Sequence, residues 1–172
     1  MEKELEPRLA EAKEGKRTVY FADAAHFVFG AFLGYLWCVV RLFVPTSSGR
    51  NRYNILGAID AITHNFIYVS NDNYINSLSV CELLSKIRER YIGSNPIAIV
   101  LDNARYQRCS YVTVFAKKLN IELLFLPSYS PNLNIIERFW KWTKKDCLNC
   151  KYYETFIQFK KAIDLNLIPA NA

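Results

Sequence analysis

No apolar stretch in this chain is long enough to span a bilayer, and no cysteine framework of a secreted protein is present. Nor does a glycine-rich phosphate loop follow any strand-like run, and no internal repeat or low-complexity tract is visible. Each absence removes a class. The uncharged segment FVFGAFLGYLWCVV, residues 27–40, falls short of the ~20 residues a spanning helix needs. It holds two glycines and is bounded by His26 and Arg41, so it reads as a buried or interfacial aromatic segment. Five cysteines, at 38, 81, 109, 147 and 150, form an odd set without a secreted pattern and read as reduced thiols. Cys147 and Cys150 have zinc-like spacing, but no second pair exists and His26 and His64 lie far off, so a metal knuckle is not favoured. Without the phosphate loop and the repeating βαβ pattern, a dinucleotide-binding fold is excluded. The charged N-terminus, MEKELEPRLAEAKEGKR, does not read as a signal peptide.

What is present is 172 residues, enough for one domain with a real core, half of them hydrophobic. The formal charge of +6 favours anionic partners such as nucleic acid or acidic lipid. Residues 1–16 read as a linker-like surface helix with only Leu5, Leu9 and Ala12 to pack. TVYFADAA, 18–25, reads as a strand that is apolar on both faces until Asp23. RYNILGAID, 52–60, and NFIYVSN, 65–71, suggest an antiparallel hairpin. Residues 75–92 carry a helical stripe, capped by Asn76 or Ser77. PIAIVLD, 96–102, is continuously apolar, as expected of a strand buried on both faces. A helix over 108–120 and a strand over 121–127 complete a βαβ unit with a parallel pair. Helices over 135–148 and 154–167 follow. The order predicts an α/β protein with a central mixed sheet flanked by helices.

Three acids stand apart from the solvated ones. Asp23 interrupts an apolar strand, Asp102 ends a buried one, and Glu137 opens a helix immediately after a third strand. A buried charge is costly unless it is paired or metal-bound. Carboxylates brought together repel unless divalent cations neutralise them, and hard oxygen ligands suit two Mg²⁺ or Mn²⁺ ions performing phosphoryl transfer. Simpler roles stay open at this point. Asp102 can cap a turn or the next helix, and Asn134 and Glu137 have the N-x-x-E spacing of a capping box. Lys141 and Lys144 fall on the Glu137 face of the helix, and Arg138 and Lys145 widen a basic flank suited to phosphodiester backbones. A solvated helix face is the alternative.

FADAAHF, VLDNARYQ and LPSYSPNLNIIERFWKWTKK resemble the signature blocks of bacterial insertion-sequence transposases of the mariner superfamily, over about residues 17–165. The resemblance implies a ribonuclease-H-like fold with a central mixed five-stranded sheet, and a DDE catalytic domain over 17–168. It implies Asp23, Asp102 and Glu137 as catalytic and metal-binding residues, with 34 residues between the last two. It further implies Mg²⁺ or Mn²⁺, two ions per site. Cleavage at element ends and strand transfer into target DNA would follow. Arg50, Arg52, Arg105, Arg138, Lys141, Lys144 and Lys145 become the candidate DNA contacts. A homodimer and a cytoplasmic, nucleoid-associated location are further expectations. The chain departs from the family at Ile135, where Pro is frequent, and at Gln107, where His is frequent. The family's helix-turn-helix region is expected to be absent here, which leaves room for a separate N-terminal DNA-recognition polypeptide. The alternatives are a truncated, inactive remnant that only binds DNA or joins an intact copy, a ribonuclease-H-like nuclease of another role, and a membrane-associated protein built on residues 27–40.

Overall fold

The computed structural model describes residues 2–30, 39–41, 43, 51–91, 95–127 and 134–167. Arg50, the turn at 46–50, most of the aromatic segment and the loop 128–133 lie outside the described residues. Five strands, β1 (Thr18–Val28), β2 (Arg52–Asp60), β3 (Phe66–Asn71), β4 (Ile97–Leu101) and β5 (Ile121–Phe125), form one mixed sheet in the order β3-β2-β1-β4-β5. β1, β2 and β3 pair antiparallel in sequence, while β1–β4 and β4–β5 are parallel. The helices are α1 (Glu2–Lys13), α2 (Ser77–Arg90), α3 (Ser110–Lys118), α4 (Ile135–Leu148) and α5 (Phe156–Leu167).

Both faces of the sheet are covered, which is why β4 is buried at every position and reads as a continuous apolar run. Side chains alternate along a strand. Accordingly Val19, Phe21, Ala25 and Phe27 of β1 enter a core shared with α1, α4 and α5, whereas Tyr20 and Ala22 enter a second core shared with α2 and α3. The α2 stripe expected from the sequence is the buried one: Val80, Leu83, Leu84 and Ile87. Asn76 caps that helix, accepting from the Leu78 and Ser79 N–H groups at 2.9 and 3.1 Å, while Ser79 Oγ accepts from the Asn76 N–H. Its polar tip satisfies backbone groups that the helix itself leaves orphaned.

α1 packs on the sheet rather than standing away from it. Leu5 and Ala12 are buried and Leu9 lies against the same core. Arg8 Nη2 meets Glu122 Oε1 at 2.6 Å and Arg17 Nη1 meets Glu122 Oε2 at 2.7 Å, tying the helix and the start of β1 to edge strand β5. Those two guanidinium groups, Arg8 first, hold the Glu122 carboxyl below the usual carboxylate range. Among the described residues no helix is long and apolar enough to cross a membrane.

Candidate active site

Asp23 lies in mid-β1, on the face that packs against α4, by the alternation that buries Phe21 and Ala25 on that side. In the parallel β1–β4 ladder, Phe21 is opposite Val100, so two residues further along the same face come Asp23 and Asp102. The first interrupts its strand and the second falls one step past the end of β4. Their carboxyl groups are within hydrogen-bonding reach of each other, and the Glu137 charge also acts on Asp23. Burial, then the charge of Asp102, push the Asp23 carboxyl up to about 7, with the Ala24 N–H opposing. That N–H donates to Asp23 Oδ1 at 2.7 Å.

Glu137 is delivered by α4. Ile136, Trp140, Thr143 and Cys147 form the buried stripe of that helix. Burying residues such as Ile136 and Trp140 stabilises the docking by roughly 1.5–3 kcal/mol each. Trp140 sits edge-on to Phe27 and Phe66, with ring centroids at 6.3 and 5.6 Å. The helix comes this close because β2 has a glycine opposite Asp23: a Cβ on Gly57 would meet Phe66 at 2.4 Å and Trp140 at 3.0 Å. A glycine inside an apolar strand is the signal of such close approach, and NILGAI carries it.

The capping explanations of the acids fare poorly. Asn134 does cap α4, accepting from the Ile136 N–H at 3.4 Å. The Glu137 N–H donates to the Asn134 carbonyl at 3.2 Å, but its carboxylate makes no hydrogen bond to a described residue, so it does not close a capping box. The residue at the N-cap of α3 is Cys109, not Asp102. Both acids are therefore left for each other, for Asp23, and for whatever binds there.

Four basic side chains of α4, Arg138, Lys141, Lys144 and Lys145, are exposed and form no ion pair among the described residues. Lys144 Nζ lies 5.8 Å from the centre of the Phe27 ring, which places it further along β1 than the acids. Arg105 is exposed in the turn after Asp102. Arg52 is not near the acids. It pairs with Val28, five residues along β2 from Gly57, or roughly 17 Å at the rise of a strand. The cysteines at 81, 109, 147 and 150 are free thiols, and burial pushes Cys147 up to about 11.

The structure adds Tyr106, which no feature of the sequence separated from other loop aromatics. Burial raises its hydroxyl first and the Asp23 charge second, with Gln107 opposing by a hydrogen bond and Asp102 adding a smaller push. Gln107, the departure from the resembled family, is only 1% exposed and lies against Tyr106.

Among the described residues no group of three His, Cys, Asp or Glu side chains converges to hold one ion. The donor set nevertheless fits hard divalent cations: its members are all carboxylates, and their mutual repulsion is visible in Asp23.

The fold is the ribonuclease-H-like one of transposase and integrase catalytic cores. The Mos1 mariner paired-end complex with Mn matches with a TM-score of 0.70 at 16% identity, over 95% of this chain and 52% of that one. The Mos1 transposase catalytic domain with raltegravir and Mg matches at 0.66 and 15%, over 96% of this chain and 79% of that one. The catalytic core of BIV integrase matches at 0.57 and 16%, over 87% and 80%. The chain thus spans about half the length of the Mos1 chains in the DNA complexes. No curated protein sequence matches it. A family model described as DDE superfamily endonuclease matches residues 18–160.

Proposed function

The chain belongs to the DDE superfamily endonucleases, and from that premise we propose that it is the catalytic domain of a transposase. In this reading it cleaves DNA strands at the ends of an insertion sequence and joins them to target DNA. The observation that carries the reading is the meeting of Asp23, Asp102 and Glu137 from three separate elements, with Asp23 held up to about 7 by its burial and by the other two acids.

Asp23, Asp102 and Glu137 would hold Mg²⁺ or Mn²⁺, two ions per site. Such ions supply Lewis acidity that activates the attacking oxygen and offsets charge on the leaving one. The chain's own part is positional. The β1–β4 register fixes two carboxylates side by side, and the buried stripe of α4 fixes the third. One site of this kind serves both steps, because only the nucleophile changes: water in cleavage, a 3′-hydroxyl in strand transfer. In each, a new P–O bond forms as the bond to the displaced oxygen breaks. Arg105, Arg138, Lys141, Lys144 and Lys145 would neutralise phosphates on either side of the acids. Arg52, and Arg50 outside the described residues, would act further along the sheet. A homodimer that brings two element ends together, aided by a separate N-terminal recognition polypeptide, completes the proposal, in the cytoplasm of a bacterium.

The test joins metal binding to activity. Calorimetry with Mn²⁺ on wild type, Asp102→Asn and Glu137→Gln, each checked by circular dichroism, should show binding that both substitutions weaken. Nicking of labelled DNA should fall by at least ~10²-fold in both variants. Binding and nicking indifferent to both changes would return Glu137 to a helix-start residue and leave a DNA-associated remnant as the better description.

A further inference from the structure

Tyr74 is 81% exposed, yet the backbone around it is held at several points. Asn54, only 2% exposed, uses both ends of its amide. Its Oδ1 meets His26 Nδ1 at 2.6 Å, and its Nδ2 donates to the Asn73 carbonyl at 2.7 Å. Asn71 accepts from the Asn73 N–H at 3.1 Å and donates to the Tyr74 carbonyl at 3.0 Å. A large ring is thereby presented to solvent from a fixed backbone. Folding alone gives no reason for this, because Tyr74 belongs to neither core.

The ring stands at the rim of a cleft of about 530 Å³ lined by His26, Asn51, Arg52, Asn73, Tyr74 and Phe156, among others. That volume is in the ~300–1,000 Å³ range of small-ligand sites. The cleft carries three kinds of recognition group. Asp72, its acid, is matched by Lys160 at 2.7 Å. Arg52 forms no ion pair among the described residues, so a cation remains for an anionic ligand. Asn51 and Asn73 carry carboxamides, each with donors and an acceptor side by side, the pattern that reads a base edge. Tyr74 supplies an exposed ring face for stacking, beside Phe156, whose own ring packs on Phe29 and Phe159 under Lys160. Cation, amide and ring together match phosphate, base edge and base face.

We propose that this cleft binds an unpaired nucleotide of a DNA strand, at a position separate from the acidic cluster. The nucleotide must be unpaired, because a base within a duplex offers neither its face nor its pairing edge. The proposal rests on the reading above only in taking DNA as the substrate. It places a strand held open, at a distorted element end or target site, against the β1–β2 end of the sheet.

Fluorescence anisotropy separates the two readings. The parent is Asp102→Asn in EDTA, so neither metal nor cleavage contributes. The probes are a labelled 15-mer single strand and its duplex. Tyr74→Ala should weaken single-strand binding roughly tenfold, as the loss of one base–aromatic stack does, with duplex binding little changed. Tyr74→Trp should restore it. Arg52→Ala should weaken it too, and reduce the salt dependence by about one phosphate. Equal binding by Tyr74→Ala and parent, or equal losses for both probes, would overturn the cleft assignment while leaving the DNA reading standing. If a free deoxynucleotide monophosphate at millimolar concentration displaces the strand as well as unlabelled strand does, the cleft is a free-nucleotide site and the strand assignment fails. A parent that binds neither probe removes both readings.

Discussion

Burial and the neighbouring Asp102 carboxylate push the Asp23 carboxyl up to about 7, against ~3.9 in an unfolded chain. Between those values the folded state binds more protons than the unfolded one, so stability falls as pH rises through that window. The metal-free protein should therefore lose thermal stability from about pH 4 to pH 7. Asp23→Asn should flatten that slope, and saturating Mn²⁺ should offset it in wild type. Melting curves across the range check this, and a wild-type profile rising through the window would contradict it. Asn134 and Glu137 separate by the same logic. Asn134→Ala removes a cap and should lower stability by about 1 kcal/mol while sparing metal binding. Glu137→Gln should do the reverse, with stability held within ~0.5 kcal/mol and metal binding lost. Urea titration and calorimetry on the pair decide whether cap and ligand are distinct residues.

Elements meet here through small residues as much as large ones. Gly57 lets Phe66 and Trp140 close over β2, opposite Asp23. Gly57→Ala inserts a methyl where the Phe66 ring would stand at 2.4 Å, so the ring or α4 must shift. The expected loss is about 1–3 kcal/mol in chemical denaturation. Because α4 carries Glu137, weaker metal binding should accompany it. The mutant would then link packing to the site without touching an acid. α1 makes a parallel case at the other edge. Leu5, 5% exposed, is buried against the sheet, and Arg8 and Arg17 hold Glu122. Leu5→Ala should lower stability by ~2–4 kcal/mol, a loss a dangling linker would not show.

At the scale of the molecule, the +6 charge is unevenly used. Arg8 and Arg17 pair with Glu122 on the α1 side, whereas Arg138, Lys141, Lys144 and Lys145 stand exposed along α4 without ion pairs among the described residues. Replacing Lys141 and Lys144 together with alanine should weaken DNA binding at low salt. It should also lower the slope of log affinity against log salt by about two. A slope unchanged in anisotropy titrations would mean these lysines are only a solvated face. The sheet places the acids near its middle, at β1 and β4, with helices on both faces. Asp23 and Asp102 thus sit where helices flank the backbone on both faces.

Local pattern made much of this readable in the sequence. Strand and helix types follow from backbone period and burial, so residues 52–60 and 135–148 emerge with the bounds observed. An acid inside or at the end of an apolar run is a local anomaly and marks Asp23 and Asp102, while Glu137 is marked as an acid opening a helix after a buried strand. Pairing is different in kind, because it depends on contacts distant in sequence. That β1 runs beside β4 with Phe21 opposite Val100, and so brings Asp23 next to Asp102, was only one arrangement open to the strands. The tie between Arg8 and Glu122 spans 114 positions and leaves no local trace. Tyr74 reads in sequence as any loop tyrosine. Only the folded chain, with buried Asn54 reaching across to the Asn73 carbonyl, fixes its backbone and leaves its ring in solvent. The sequence determined the elements and set three acids at anomalous positions within them, because period and burial are local, and the long-range register of the sheet decided that Asp23 and Asp102 meet.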